Sequence, residues 1–249
     1  MTALILALVA GALVGLALGG LGGGGSVLAV PALIYLLGFS PAEATTASLV
    51  IVTITSVTAL TGHARDGNVA WRTGLLFAAA GIVPAMVAGA AAGHLPQALL
   101  TVAFSVVAAL AAVRMLRPDR AVASSGAQVN AGKAGAAGAG LGAVTGFLGV
   151  GGGFLAVPAL VSVLRLPMRR AVGTSLLVIT INSLAALGAR AGSGTQLDWA
   201  VVAPFTAAAV LGAWDGKRLS KKLNGGTLQR VFAYVLLAVA AFMLLDAIF

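Results

Sequence analysis

Residues 21–33 of this chain, Leu-Gly-Gly-Gly-Gly-Ser-Val-Leu-Ala-Val-Pro-Ala-Leu, return 127 positions later as residues 148–160, Leu-Gly-Val-Gly-Gly-Gly-Phe-Leu-Ala-Val-Pro-Ala-Leu. Ten of the thirteen positions are identical. At the same shift Gly11, Gly15 and Gly19 fall on Gly138, Gly142 and Gly146, and Ser48-Leu49 falls on Ser175-Leu176. One residue further out of step, Trp71 and Phe104 fall on Trp199 and Phe232. A duplicated apolar chain whose hydrophobic segments are interrupted by glycine is the pattern of a membrane transporter assembled from two structural repeats.

Apolar residues make up 60% of the sequence and charged residues 8%, against about 25% charged in a soluble domain, so most of the surface cannot face water. The net charge of +9 does not point to nucleic acid, because the Lys and Arg residues sit in short loops between apolar stretches, where they read as topology signals. There is no cysteine, which excludes disulfides and thiolate metal sites. The start, Met-Thr-Ala, has no basic segment and no clear cleavage site, and is expected to begin a mature helix rather than a signal peptide.

Apolar stretches run over 2–19, 26–37, 44–62, 71–91, 97–113, 134–146, 153–164, 172–189, 199–213 and 228–248, five in each copy. A helix needs about 20 apolar residues to span a bilayer, so 26–37 and 153–164 read as half-helices. An odd number of segments per copy inverts the second copy, and the loops agree. The loop 38–43 carries only Glu43, whereas 165–170 carries Arg165, Arg169 and Arg170. The next pair reverses, with Arg65 and Arg72 against Asp66 in one copy and Arg190 offset by Asp198 in the other. The third pair has no Lys or Arg at 92–96, but five of them between 215 and 230.

The expected fold is therefore an all-α polytopic membrane protein with two inverted-topology repeats, whose Gly-rich broken helices form hairpins meeting near the midplane. The expected division is 1–120 for the first repeat, 121–132 for a cytoplasmic linker and 133–249 for the second. Both termini are expected outside the cytoplasm, in a bacterial inner membrane.

Gly22, Gly23, Gly24, Gly25 and Ser26 form one hairpin tip, and Gly149, Gly151, Gly152 and Gly153 the other. Unpaired backbone is tolerated at membrane depth only within protein or beside a water-filled cavity. Each tip also opens a short helix, whose first turn presents N–H groups and a partial positive charge. Two such ends facing each other would bind an anion without Lys or Arg. The bland alternative is that the glycines only permit close packing, which is the reading preferred for Gly11, Gly15, Gly19 and their counterparts. Pro31 and Pro158 either break the half-helices and free a carbonyl or persist from the duplication. Ser48, Thr174, Ser175 and Asn182 are candidate substrate contacts, although hydroxyls in such helices commonly bond back to their own backbone. His63 and Arg190, at equivalent positions, are expected to be interfacial and solvated.

No acid lies at the centre of an apolar segment, so a buried carboxylate proton relay is not expected. The same absence argues against an intramembrane protease, and the protein is read as a non-enzyme without cofactors or bound metal. The duplicated Gly-x-Gly-Gly-Gly-x-x-x-Val-Pro-x-Leu pattern, with Ala44-Thr45-Thr46-Ala47-Ser48-Leu49 and Ala171-Val172-Gly173-Thr174-Ser175-Leu176 after it, resembles the TauE/SafE family of membrane permeases. The first copy departs from that pattern at Ser26 and differs from the second at Thr46. The resemblance implies transport, most often export, of small sulfur oxyanions such as sulfite or organosulfonates. A passive anion channel, a carboxylate transporter and a non-transporting scaffold remain as alternatives. The expected partners are a small anion and the lipid bilayer; a proton or sodium ion is a candidate co-transported ion, and a second copy of the chain a candidate homodimer partner.

Overall fold

The computed structural model describes residues 2–92, 97–116, 131–147, 153–190 and 197–248, and the secondary structure among them is entirely helical. Helix α1 is Thr2–Leu21, and α2 is Gly24–Pro31, widening into a π-turn over Ala32–Leu36. Then come α3 (Pro41–Arg65), α4 (Trp71–Ala92), α5 (Gln97–Leu116), α6 (Ala131–Phe147), α7 (Gly153–Ser162), α8 (Met168–Arg190), α9 (Trp199–Lys222) and α10 (Gly225–Ile248). Every expected apolar stretch is a helix. The protein is all-α and polytopic, with six helices long and apolar enough to cross a membrane. The last two residues of the expected linker belong to α6; the remainder of the linker lies outside the described residues.

Helix starts follow local chemistry. Ser40 caps α3: its Oγ accepts from the Glu43 N–H at 3.4 Å, and the Glu43 carboxylate accepts from the Ser40 N–H at 3.0 Å, with Pro41 at the first helical position. This capping box starts α3 three residues before its apolar run. Asp198 caps α9 by accepting from the Ala200 N–H at 3.0 Å. Helix α9 continues to Lys222, nine residues beyond the expected stretch, and its last turns are tied to the end of α3, where Asp66 lies 2.9 Å from both Lys217 and Lys221.

Glycine governs the packing. Along α1, Gly11, Gly15 and Gly19 lie on the backbone of Phe205, Ala209 and Ala213 of α9. Along α6, Gly138, Gly142 and Gly146 lie on Phe77, Gly81 and Ala85 of α4. These two parallel seams exchange with each other under the duplication. The third helices cross antiparallel: Arg190 Nη1 donates to Thr46 Oγ1 at 3.1 Å, the hydroxyls of Thr180 and Ser56 lie 3.0 Å apart, and Gly173 packs on His63 and Asn68. The duplication maps the Thr46–Arg190 contact onto the Gly173–His63 contact. The two copies are thus related by an approximate two-fold axis perpendicular to α3 and α8. Phe77, Phe104, Phe154, Phe205 and Phe232 fill the core. Exposed Leu13, Val83, Met86, Val87, Leu110 and Leu211 form an apolar exterior too extensive for a water-soluble monomer.

Charge divides the molecule end to end. Lys217 and Lys221 meet Asp66, Arg169 Nη2 donates to the carbonyls of Lys221 and Leu223, and Gln229 Nε2 donates to that of Met115. These bonds tie the ends of α3, α5 and α9 to the starts of α8 and α10. Among the described residues every Lys and Arg except Arg190 lies at this end, which we call the basic end.

A Cβ at Gly142 would overlap the Gly81 carbonyl oxygen, whereas Gly140, two residues away and on the opposite side of α6, faces open space. Gly142→Val is expected to destabilise the purified protein by about 1–3 kcal/mol or more. Gly140→Ala should leave the thermal unfolding midpoint in detergent unchanged or raised, since helix propensity favours Ala over Gly.

Candidate substrate site where two hairpin tips meet

Helix α1 ends because Gly22 turns left-handed, with φ of +76°, while its N–H still donates to the Leu18 carbonyl at 2.9 Å. Glycine adopts this conformation without the Cβ penalty of other residues. The space a side chain would need is also filled, by Ser175 Oγ, Val157 and the Val172 carbonyl. Gly23 then begins α2 with no side-chain cap, and a Cβ there would meet the Gly153 carbonyl and Phe154 Cα. Gly153 opens α7. The first tip therefore rests directly on the first turn of the opposing half-helix and on α8.

Neither half-helix can cross a bilayer. The 13 residues of α2 with its π-turn and the 10 of α7 extend about 20 Å and 15 Å, short of the roughly 30 Å hydrocarbon thickness. Pro31 lies where α2 widens into the π-turn, and Pro158 lies within α7. Having no N–H, each proline deprives the carbonyl four residues back, of Val27 and of Phe154, of its helical donor.

Other expected site residues divide by what they touch. Gly25 is a packing residue, held against Val14 and Leu18 of α1. Gly24 and Ser26 lie in the first turn of α2. Gly149, Gly151 and Gly152 lie outside the described residues. Ser48 and Ser175 each donate to their own helix, to the Thr45 and Val172 carbonyls at 2.8 Å, although Ser175 Oγ also borders Gly22. Thr174 Oγ1 accepts the Ala70 N–H at 3.0 Å, so it fixes the start of α4. Asn182 stands two turns along α8 from Ser175, on the same face, and its Oδ1 is buried without a hydrogen-bond partner. The two ends of an amide interchange by a 180° rotation; among the described residues the Asn182 amide oxygen and His63 Nδ1 are buried side-chain atoms left without a partner.

His63 departs from expectation. It is 4% exposed, not solvated, and its Nε2 lies 3.0 Å from the Gly19 carbonyl. The imidazole thus ties α3 to the last turn of α1, one residue pair before the tip, because the small Gly173 of α8 leaves room for it. Arg190, its counterpart, meets Thr46 where the other copy has glycine. Beside His63, Lys217 Nζ donates to the Gly62 carbonyl at 2.6 Å, and Lys217 and Lys221 share Asp66. This clamp joins the two copies at the basic end. Spacing alone does not reveal it, because Asp66 is 155 residues from Lys221 along the chain.

Broken half-helices meeting inside a shell of apolar helices define a multi-pass membrane protein of the transporter kind. A family model described as "Sulfite exporter TauE/SafE" matches residues 7–243, and the chain belongs to that family. It is similar to a "Probable membrane transporter protein" of Xylella fastidiosa strain 9a5c, 34% identical over 97% of this chain and 95% of the relative. The relative of the same name in strain Temecula1 is 33% identical with the same coverage. A third, "Probable membrane transporter protein YunE" of Bacillus subtilis, is 29% identical over 44% of this chain and 40% of the relative. No solved structure matches. The protein is a membrane transporter.

Lys221 first, then Lys217, holds the Asp66 carboxyl below the usual aspartate range. A carboxyl depressed by folding adds stability at every pH above its unfolded value and loses it as pH falls through the folded one. Asp66→Asn is therefore expected to lower stability at pH 7 by about 1 kcal/mol, with the difference from wild type vanishing in acid; thermal unfolding from pH 7 down to pH 3 reads this directly. Gly22→Ala should cost about 1–2 kcal/mol in left-handed backbone strain, in addition to its overlap with Ser175. Adding Ser175→Gly should recover the overlap but not the strain, as a double-mutant cycle in unfolding midpoint will measure.

Proposed function

We propose that this protein is a secondary permease exporting small sulfur-containing anions, such as sulfite or organosulfonates, across a bacterial inner membrane. The observation that carries the reading is the contact of the two tips. Helix α1 starts at the end opposite the basic residues and α6 starts at the basic end, so the hairpins enter from opposite faces and meet at Gly23 and Gly153. The N-terminal ends of α2 and α7 supply N–H groups and partial positive charge where they meet, with Asn182 and Ser175 on the neighbouring helix. An anion held by backbone dipoles needs no buried Lys or Arg, and the described residues of both tips carry none. The positive-inside tendency assigns the basic end to the cytoplasm, which puts both termini outside.

In this conformation the tips touch. Admitting an anion between them requires one hairpin to part from the other, and movement of the half-helices within the frame of glycine seams, alternately toward each face, provides it. A permanently open channel has less support, since the Gly23–Gly153 contact closes the space. A proton or sodium ion accompanies the anion in this reading, with the donor-deprived carbonyls of Val27 and Phe154 as the backbone ligands available to a cation.

Purified protein in proteoliposomes is expected to carry sulfite or a short-chain sulfonate saturably. Asn182→Ala should raise half-saturation about tenfold, the loss of one hydrogen bond to a charged group, with thermal stability retained. Imposing and then collapsing a pH or sodium gradient identifies the coupled ion. Folded protein that carries no sulfur anion overturns the substrate; flux that follows voltage without saturating overturns alternating access.

A further inference from the structure

An open groove of about 310 Å³ lies between α5, α6 and α7, with Arg114 among its lining residues. It owes its existence to a departure from the two-fold symmetry. The duplication maps Arg114 onto Phe242 and Ser162 onto Tyr35, and those two aromatic rings pack edge to face with centroids 5.5 Å apart. It also maps Gly140 onto Leu13 and Ala111 onto Val239. Four bulky apolar side chains thus stand on one side of the molecule where the other has a glycine, an alanine, a serine and an arginine. A cavity in a packed protein loses dispersion contacts that nothing else replaces. Three of these exchanges, Gly140 for Leu13, Ala111 for Val239 and Ser162 for Tyr35, remove side-chain volume, and the fourth sets the charged Arg114 in place of Phe242.

The lining describes that occupant. Apart from Arg114 and Ser162 it is apolar, and Val144 and Val163 are both lining and exposed, so the recess faces the lateral surface that meets lipid. From Val107 to Arg114 it runs about 10 Å along α5 and ends toward the basic end. The Arg114 guanidinium is exposed and bonds to no described residue. Lys133, one turn beyond Ala137 on the same face of α6, is exposed as well. Arg165, two residues past Val163, holds a left-handed φ of 54° where the first copy has Gly38. A small soluble oxyanion would gain nothing from such walls. A molecule with an acyl chain and an anionic head satisfies both parts.

We infer that this groove is a binding site for an anionic phospholipid of the leaflet at the basic end, with one acyl chain between α5, α6 and α7 and its phosphate on Arg114. The inference needs only that the protein spans a membrane and is independent of the transported substrate. At the equivalent place in the other copy the Tyr35 and Phe242 rings pack against each other.

Native mass spectrometry of the detergent-purified full chain, titrated with phosphatidylglycerol or phosphatidylcholine of identical chains, tests it. Wild type should retain one phosphatidylglycerol about fivefold better than phosphatidylcholine, the worth of one arginine near an anionic headgroup. Arg114→Gln, on the surface, should erase the preference while leaving chain binding. Ser162→Tyr, restoring the bulk of the first copy, should remove retention of both lipids at this site. Equal retention of the two lipids by wild type, or an undiminished preference in Arg114→Gln, overturns the assignment. So would displacement of phosphatidylglycerol by a soluble alkylsulfonate, which would make the groove a substrate path, or a dimer that Ser162→Tyr dissociates, which would give the groove to a second copy of the chain.

Discussion

Two seams of glycine, in which one helix lies on the bare backbone of another, hold this structure in register. Between helices in lipid there is no hydrophobic gain to be had, so association rests on close contact over a long interface. Gly11, Gly15 and Gly19 bring α1 onto the carbonyls of α9, and Gly138, Gly142 and Gly146 bring α6 onto α4. Both seams join the first helix of one copy to the fourth of the other. Neither copy is therefore complete without its partner, and the place where each hairpin turns is set by the opposite half of the chain.

The meeting of the tips follows from that exchange. Helix α1, fixed on α9, delivers Gly22 to α8, and α6, fixed on α4, leads to Gly153 at the head of α7. Two further bonds hold the approach: His63 on the Gly19 carbonyl within the first copy, and Asp66 between Lys217 and Lys221 across the two. In their vicinity nearly every hydroxyl of α3 and α8 bonds to its own helix, which leaves backbone dipoles, the Asn182 amide and His63 Nδ1 as unspent polar capacity. The described residues of both tips carry no Lys or Arg.

Symmetry is informative where it fails. The Thr46–Arg190 and Gly173–His63 pairs occupy equivalent places with different chemistry, one a hydrogen bond and the other a void filled by a buried imidazole. The Tyr35–Phe242 pair and the Arg114–Ser162 groove differ in the same manner. Such divergence marks positions that no longer serve only the common scaffold, since packing alone would tolerate the same residues in both copies.

Much of the fold was legible because a bilayer simplifies the rules. Apolar length separates spanning from broken helices, the repeat supplies the pairing of segments, and loop charge supplies their sense. Even the start of α3 was written in Ser40-Pro41-Ala42-Glu43, though apolarity alone begins it later, and the end of α9 was obscured because charged turns read as loop. Near the candidate site, the first glycine run marked where α1 ends at Gly22, yet Ser48, Thr174 and Ser175 could not be sorted from Asn182 until their partners were known. The sequence by itself determined the segments, their duplication and the places where helices break, since these depend on local composition and on a period along the chain. Only the tertiary structure decided that His63 is buried, that Asp66 clamps α9 and that a groove opens between α5, α6 and α7. Those outcomes depend on contacts between residues of different helices, where no local rule reaches.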